Sequence, residues 1–328
     1  MRILVTGSAG FIGFHLCRRL LAEGHDIVGL DGMTNYYDLA LKRARHAALL
    51  TSNHFQAHEI MLEDENALSR LVQDTRADIV VHLAAQAGVR YSMEAPRSYI
   101  DSNIIGTFNL LEALRACPAQ HFLMASTSSV YGANATPFAE KDRTDHQLSF
   151  YAATKRATEA MAHSYAHIWN QPTSVLRFFT VYGPWGRPDM ALFKFTRAIL
   201  EGQPIDIYNN GEMQRDFTYV DDCIEGIVRL LPLTPTSSAA TNGSPAAPWR
   251  VINIAGGRLV ELNAYIAAIE KATGRKALRN ELPMQPGEPQ TTLAATGELE
   301  KLTGFLPQTN VEDGVRAFVD WYRDFYKA

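Results

Sequence analysis

Short apolar runs alternate with longer stretches of helical spacing along most of the chain. ILV (3–5), DIVGL (26–30), DIVVHL (78–83), HFLMA (121–125), TSVLRF (173–178) and RVINI (250–254) are continuous enough to be strands buried on both faces. Between them, 11–23, 66–75, 99–117 and 151–169 repeat apolar residues three and four apart, as a helix with one buried face does. Strands alternating with helices in this way predict an α/β fold built on a doubly wound parallel sheet. Beyond about residue 180 the pattern loosens, with helices expected near 191–201, near 221–231 and after 261. We therefore divide the chain into a first domain over 1–180 and a smaller C-terminal α/β substrate domain over 181–328. The strand near 250–254 is expected to return to the first domain. PLTPTSSAATNGSPAAP (232–248) carries no charge and reads as an exposed loop, not as a domain boundary.

Composition narrows the function classes. The 328 residues are 46% hydrophobic and 20% charged, ordinary values for a globular protein. A net charge of −4 gives no global basic field for nucleic acid or anionic membrane. Cys17, Cys117 and Cys223 stand far apart with no CxxC, which points to a reducing compartment. The chain opens on a strand, without a basic leader, and has no run of 18 apolar residues. The expectation is a cytoplasmic enzyme or binding protein.

The first strand runs into Thr6-Gly7-Ser8-Ala9-Gly10-Phe11-Ile12-Gly13 and then a helix. A bare GxxGxxG is a weak signal, but strand, glycine turn and helix at the start of a βαβ unit are the context it needs. Gly7 permits the tight turn, Gly10 lets backbone approach a pyrophosphate, and Gly13 allows close helix packing. The helix N-terminus then faces the phosphates. The next strand ends in Asp31, 18 residues past Gly13. A carboxylate there bonds ribose hydroxyls and repels a 2′-phosphate, so NAD is expected over NADP. The bland alternative is ordinary turn glycines with an acidic strand cap.

Tyr151-Ala-Ala-Thr-Lys155 sets a phenol and an ammonium four apart, on one helix face. The spacing recurs by chance; its position says more. It follows a strand ending in Ser126-Thr127-Ser128-Ser129, a hydroxyl cluster at the edge of the sheet where ligands of open α/β folds bind. A neighbouring Lys155 and a positive nicotinamide ring are expected to draw the Tyr151 phenol toward neutrality as a general base, with Thr127 sharing the proton path. His163 and His167 lie four apart, but the intervening glutamate of a zinc protease is missing and no third ligand follows, so no metal is expected. They read as surface or interface histidines. Asp221-Asp222 reads as an acidic helix start.

With these residues in place, the chain resembles the extended short-chain dehydrogenase/reductases that act on nucleotide sugars. The carrying segments, in family order, are GSAGFIG (7–13), Asp31, HLAAQAGVRYS (82–92), DSNIIGT (101–107), STSSVYG (126–132), YAATK (151–155), RFFTVYGP (177–184) and RDFTYVDD (215–222). NYYD (35–38), QAGVRYS (86–92) and FTVYGPWGRPDMALFKF (179–195) are similar to the UDP-glucuronate 4-epimerase branch. The resemblance implies a Rossmann domain with NAD, a nucleotide-sugar domain, a UDP-sugar substrate, and a homodimer through helices 99–117 and 151–169. It implies cofactor contacts from Gly7, Gly10, Phe11, Ile12, Gly13, Asp31, Asn35, Leu83, Ala84, Ala85, Asn103, Tyr151 and Lys155. Where the related 4,6-dehydratases carry an Asp-Glu pair this chain has Ser128-Ser129, which disfavours dehydration. Three positions depart from the family: Glu59 near the adenine, Gln285-Pro-Gly-Glu288, and Ala295.

A uronic acid oxidised at C4 is a β-keto acid, and it loses CO2 when its C5–carboxylate bond stands perpendicular to the carbonyl plane. An epimerase must hold that carboxylate still, and a planar guanidinium does so with two bonds. Arg187, with Thr180 and the hydroxyls of Thr127, Ser128 and Ser129, is the expected clamp. The plainer reading of Arg187 is a pair with Asp189. Arg215 resembles the family's diphosphate contact, and Arg90 is expected to line the sugar pocket. The rival functions are UDP-glucuronate decarboxylation, epimerisation of a neutral nucleotide sugar, and a catalytically idle NAD-binding scaffold.

Overall fold

A computed structural model describes residues 1–237, 243–284 and 290–328. The elements run β1 (Arg2–Thr6), α1 (Phe11–Ala22), β2 (Asp26–Asp31), α2 (Leu39–Leu49), β3 (Phe55–Glu59), α3 (Glu65–Thr75) and β4 (Ile79–His82). The short turns α4 (Tyr91–Glu94) and α5 (Pro96–Tyr99) lead through a π-helical segment, Ile100–Ile105, into α6 (Gly106–Ala116). Then come β5 (His121–Thr127), α7 (Phe150–Trp169), β6 (Thr173–Phe178), β7 (Thr180–Tyr182), α8 (Ala191–Glu201), β8 (Pro204–Tyr208), β9 (Gln214–Tyr219) and α9 (Val220–Leu230). The chain closes with β10 (Gly243–Ser244), β11 (Ala247–Ile254), β12 (Leu259–Glu261), α10 (Leu262–Thr273), β13 (Leu278–Leu282), α11 (Gly297–Thr303) and α12 (Val311–Tyr326).

The large sheet has the order β10-β11-β6-β5-β4-β1-β2-β3 and is parallel except for β10. Parallel strands need both faces covered, and the apolar runs supply the contacts. Ile3, Val5, Ile79 and Val81 pack with α1 and α9 on one face; Leu4, Val28, Val80 and Phe122 pack with α3 and α6 on the other. The strand near 250–254 is the core of β11, hydrogen-bonded in parallel to β6. The remaining strands form two small sheets, β12-β9-β7 and β13-β8, over an aromatic core that includes Tyr182, Phe193, Tyr265 and Phe318.

Two elements lie outside the sequence pattern. β3 (FQAHE) is a sheet edge in which only Phe55 is buried, and so never shows an apolar run. α2 (LALKRARHAAL) buries Lys42, Arg45 and His46 beside Leu41 and Leu49, so its inner face is largely polar. The expected helix 99–117 opens as a π segment before becoming α-helical at Gly106. The 232–248 loop is only partly a loop. Gly243–Ser244 pair antiparallel with β11, Ala247 is fully buried, and 238–242 lie outside the described residues. His163 and His167 hold that hairpin to α7, bonding Ser244 Oγ at 2.8 Å and the Ala246 carbonyl at 2.6 Å. Among the described residues no group of three or more His, Cys, Asp and Glu could hold a metal, and no helix is long and apolar enough to cross a membrane.

Candidate active site

The strand order reverses beside β1, whose neighbours are β2 and β4, and the C-terminal ends of these strands share one edge of the sheet. In an open α/β sheet a ligand crevice forms at that edge. Gly7 takes φ 74°, and a Cβ there would lie 2.8 Å from the Ala84 nitrogen. The glycine turn therefore touches the Leu83-Ala84-Ala85 segment after β4. A Cβ on Gly13 would come within 2.0 Å of the Gly7 carbonyl oxygen, so only glycine lets α1 start this close to the turn. Gly10 precedes α1 with no side-chain cap, and Phe11 and Ile12 form its first turn. That leaves backbone N–H groups for an anion. Asp31 is buried and accepts from Ala9 N at 3.1 Å and Met33 N at 2.9 Å. Its remaining lone pairs suit ribose hydroxyls. Asn35 is exposed just beyond it, and Glu59 pairs with Arg43 at 3.4 Å. These residues fit a dinucleotide.

Asn103 is buried in the π segment. Its amide accepts from Gln86 N at 2.8 Å and donates to Gln86 O and Thr154 Oγ1, both at 3.0 Å. The wide turn thus swings Asn103 onto the 86–92 loop, an interaction that a regular helix from residue 99 does not foresee.

Ser149 caps α7 by accepting from Ala152 N, and Tyr151 follows in the first turn. The helix is anchored by fully buried Glu159, which accepts from Ser126 Oγ at 2.6 Å and takes Arg177 in a fork at 2.9 and 2.8 Å. Ser126 directly precedes Thr127, the last residue of β5, so this ion pair ties α7 to the strand end that carries the hydroxyl cluster. The Thr127 hydroxyl donates to the Ser129 hydroxyl at 3.2 Å. Burial raises the Tyr151 pKa, while nearby Arg187 and Thr127 pull it back down. Lys155 is buried one turn along α7, and burial lowers it to about 8 against the opposing pull of Glu159.

Arg187 comes from the loop after β7 and is half-buried. Its Nε and Nη2 donate to the two Asp189 carboxylate oxygens at 3.0 and 2.6 Å, and its guanidinium lies 6.0 Å from the Tyr36 ring. The Tyr36 hydroxyl donates to the same Asp189 at 3.1 Å. Burial by itself would raise Asp189; Arg187 outweighs it and holds the carboxyl below its usual range. The pair with Asp189 is therefore present, and it fixes the guanidinium in this loop. Thr180 opens β7 and lines a small cavity with Phe11, Arg187 and Met190, which joins the nucleotide end to this loop. Ser128 and Ser129 follow Thr127 half-buried.

The two other arginines sit farther out. The Arg90 guanidinium stacks 5.0 Å over the Tyr208 ring. Arg215, on β9, donates to the Gln214 and Gln290 carbonyls at 2.9 and 3.0 Å. Gln285 to Glu288 lie outside the described residues. Beneath Arg215, fully buried Asp216 accepts from Gly256 N, Gly257 N and Ala294 N. Tyr36, Arg45 and Asp216 are the residues that sequence reasoning did not single out. Each acts through contacts with partners distant in the chain.

The crevice at the strand ends, the glycine turn with Asp31, and the Tyr151–Thr127 pair beside a buried lysine together describe a dinucleotide-dependent sugar-modifying enzyme. The chain belongs to the NAD dependent epimerase/dehydratase family, matched over residues 3–240. It is 54% identical over its whole length to a probable UDP-glucuronate 4-epimerase of Rhizobium meliloti, covering 98% of that protein. It is 45% identical over 99% of its length to UDP-glucuronate 4-epimerase 1 of Arabidopsis thaliana, covering 77% of it. A crystal structure of a UDP-glucuronic acid 4-epimerase from Bacillus cereus, in complex with UDP-glucuronic acid and NAD, matches with a TM-score of 0.90 at 37% identity. The match covers 99% of this chain and all of that one.

Proposed function

We propose that the protein is an NAD-dependent UDP-glucuronate 4-epimerase that forms UDP-galacturonate through a 4-keto intermediate. The observation that carries this reading is the half-buried Arg187 guanidinium, held by Asp189 in the loop after β7, a carboxylate-binding group whose charge lowers the pKa of the Tyr151 phenol. Tyr151 takes the proton of the sugar's 4-hydroxyl, and the Thr127 hydroxyl, which lowers the phenol's pKa, shares that proton's path. NAD, when bound, accepts hydride from C4 and gives it back. Tyr151 then returns the proton once the ring has presented its other face. Lys155, buried and with no carboxylate in hydrogen-bond contact among the described residues, adds positive charge that favours the phenolate.

Between the two transfers the β-keto acid must keep its carboxylate. Arg187, with Thr180, Ser128 and Ser129, holds it in the carbonyl plane, so the C5–carboxylate bond cannot align for loss of CO2. Ser128 and Ser129 supply no acid–base pair for removal of water. Arg215 reads the diphosphate and Arg90 the sugar. Residues 1–180 carry the dinucleotide and 181–328 the nucleotide sugar, with β11 returning to the first sheet. We also assign a homodimer through helices 99–117 and 151–169, where Phe108, Phe150, Ile168 and Trp169 are exposed, and a cytoplasmic location, consistent with three free thiols. Incubation with UDP-glucuronate, followed by chromatography of the sugar nucleotide and a CO2 assay, tests the reading. UDP-galacturonate without CO2 is expected; stoichiometric CO2 marks a decarboxylase.

A further inference from the structure

The loop that carries Arg187 follows a path its own residues do not favour. Gly183 has φ 143°, and the bulky Trp185 sits at φ 60°, in the left-handed region. Such a backbone persists only where its surroundings over-determine it. The Trp185 ring packs against Phe14, Trp321 and Phe325, with centroids 5.1, 5.3 and 5.0 Å away. Just before it, the Pro184 carbonyl lies 2.9 Å from His15 Nε2. The Trp185 carbonyl accepts from Arg45 Nη2 at 2.5 Å, and the Gly186 carbonyl lies 3.4 Å from the same nitrogen.

Arg45 comes from α2 and is fully buried. Its other nitrogen, Nη1, donates to the Ala9 carbonyl and to the Tyr37 hydroxyl, both at 2.8 Å. Ala9 lies inside the glycine turn, and its N–H is the one held by Asp31. A single guanidinium thus spans the dinucleotide turn and the loop two residues before Arg187. Its hydrogen-bond acceptors are carbonyls and a phenol, and its Nε has no partner among the described residues. A charge buried without a carboxylate is unfavourable compared with apolar packing of similar volume. A planar fork with fixed donor directions can, however, hold two backbone segments in one relative geometry.

We propose that Arg45 is a positioning residue that passes the geometry of the dinucleotide turn to the Arg187 loop, so that recognition of the uronate carboxylate is linked to the bound dinucleotide. The proposal rests on the reading of Arg187 as the carboxylate clamp. A dinucleotide that fixes the 7–10 turn fixes the Ala9 carbonyl, and Arg45 carries that constraint to the Trp185 carbonyl. By linkage, the uronate then tightens the dinucleotide to the same degree.

The test uses NAD-loaded protein in a Tyr151→Phe background, so that bound sugar does not turn over. Calorimetry gives the affinities of UDP-glucuronate, UDP-glucose and UDP for Arg45→Lys, Arg187→Ala and the double variant. Lysine keeps the charge but cannot reach both segments as a fork. The Kd for UDP-glucuronate is expected to rise about tenfold in Arg45→Lys, the loss of about one hydrogen bond to a charged group. UDP-glucose and UDP should stay within about twofold, the scale of a change that touches neither. In the Arg187→Ala background Arg45→Lys should have no further effect on UDP-glucuronate. Unchanged uronate affinity, an equal loss for all three ligands, or additive losses would overturn the proposal. If Arg45→Lys fails to melt cooperatively, Tyr37→Phe removes one partner of the fork and leaves the packing. It should give a smaller but still uronate-selective loss, and no selective loss overturns the idea. Should Arg187→Ala weaken all three ligands alike, the clamp reading itself fails; a selective Arg187→Ala with a silent Arg45 removes only the coupling.

Discussion

Replacing Arg187 by alanine removes the group that separates a charged sugar from a neutral one. The size of the effect follows from how the guanidinium is used. Nε and Nη2 are engaged by Asp189 at 3.0 and 2.6 Å, while Nη1 has no partner among the described residues. An entering carboxylate can bond the Nη1 side of the fork and share Nη2 without displacing Asp189. One to two charge-assisted bonds are then gained, each worth about 1.5–3 kcal/mol. UDP-glucuronate should therefore bind roughly tenfold to about 150-fold more weakly to Arg187→Ala if one bond is lost, and up to about 10⁴-fold more weakly if both are. UDP and UDP-glucose, which lack the carboxylate, should change by no more than about twofold. The variant also loses the charge that pulls the Tyr151 phenol down, so burial raises that pKa further. Less phenolate is present at neutral pH, and the acid limb of the kcat profile should move to higher pH. With the carboxylate free to rotate, some of the 4-keto intermediate should lose CO2 and yield pentose nucleotide. Calorimetry with the three ligands and a CO2 assay read these outcomes. Equal weakening of all three would mean that Arg187 serves the diphosphate or the loop, and Arg90 would be the next residue to test.

Tyr151→Phe should lower turnover by roughly 10²–10⁴-fold or more while NAD affinity is kept, and near-normal activity would mean another residue takes the proton. Titration of apo protein should show tighter binding of NAD than NADP, because Asp31 meets a 2′-phosphate at close range; equal affinities would refute the assignment. Lys155→Met should be inactive yet melt at or above the parent temperature at pH 7. The folded-state pKa of Lys155, about 8, lies below its ordinary value, so the folded protein binds fewer protons than the unfolded chain between about pH 8 and 10.5. The cost of burying the ammonium is full below that window and fades as pH rises through it; a clear drop in melting temperature at pH 7 would contradict this. Asp216→Asn should destabilise the protein by about 2–4 kcal/mol in urea, since an amide oxygen cannot replace both carboxylate oxygens toward Gly256, Gly257 and Ala294.

Much of this protein is written in local pattern. Strands buried on both faces of a parallel sheet must be apolar throughout, so β1, β2, β4, β5, β6 and β11 stand out as runs. The glycine turn is equally legible, because no residue with a Cβ can sit at Gly7 or Gly13. The four-residue spacing of Tyr151 and Lys155 needs only a helix to bring them to one face. The rest depends on partners far apart in the chain. β3 escapes because an edge strand has only one neighbour and need not be apolar. α2 escapes because its buried face is made of Lys42, Arg45 and His46, whose burial is possible only where the folded chain supplies acceptors: Thr34 for the first, Ala9, Tyr37 and Trp185 for the second, Ser8 for the third. The path of the Arg187 loop was likewise decided in three dimensions, because it is held by residues contributed from α1, α2 and α12. Periodicity records how a segment meets its immediate layer; hydrogen bonds between segments leave no period, and only the packed chain shows them.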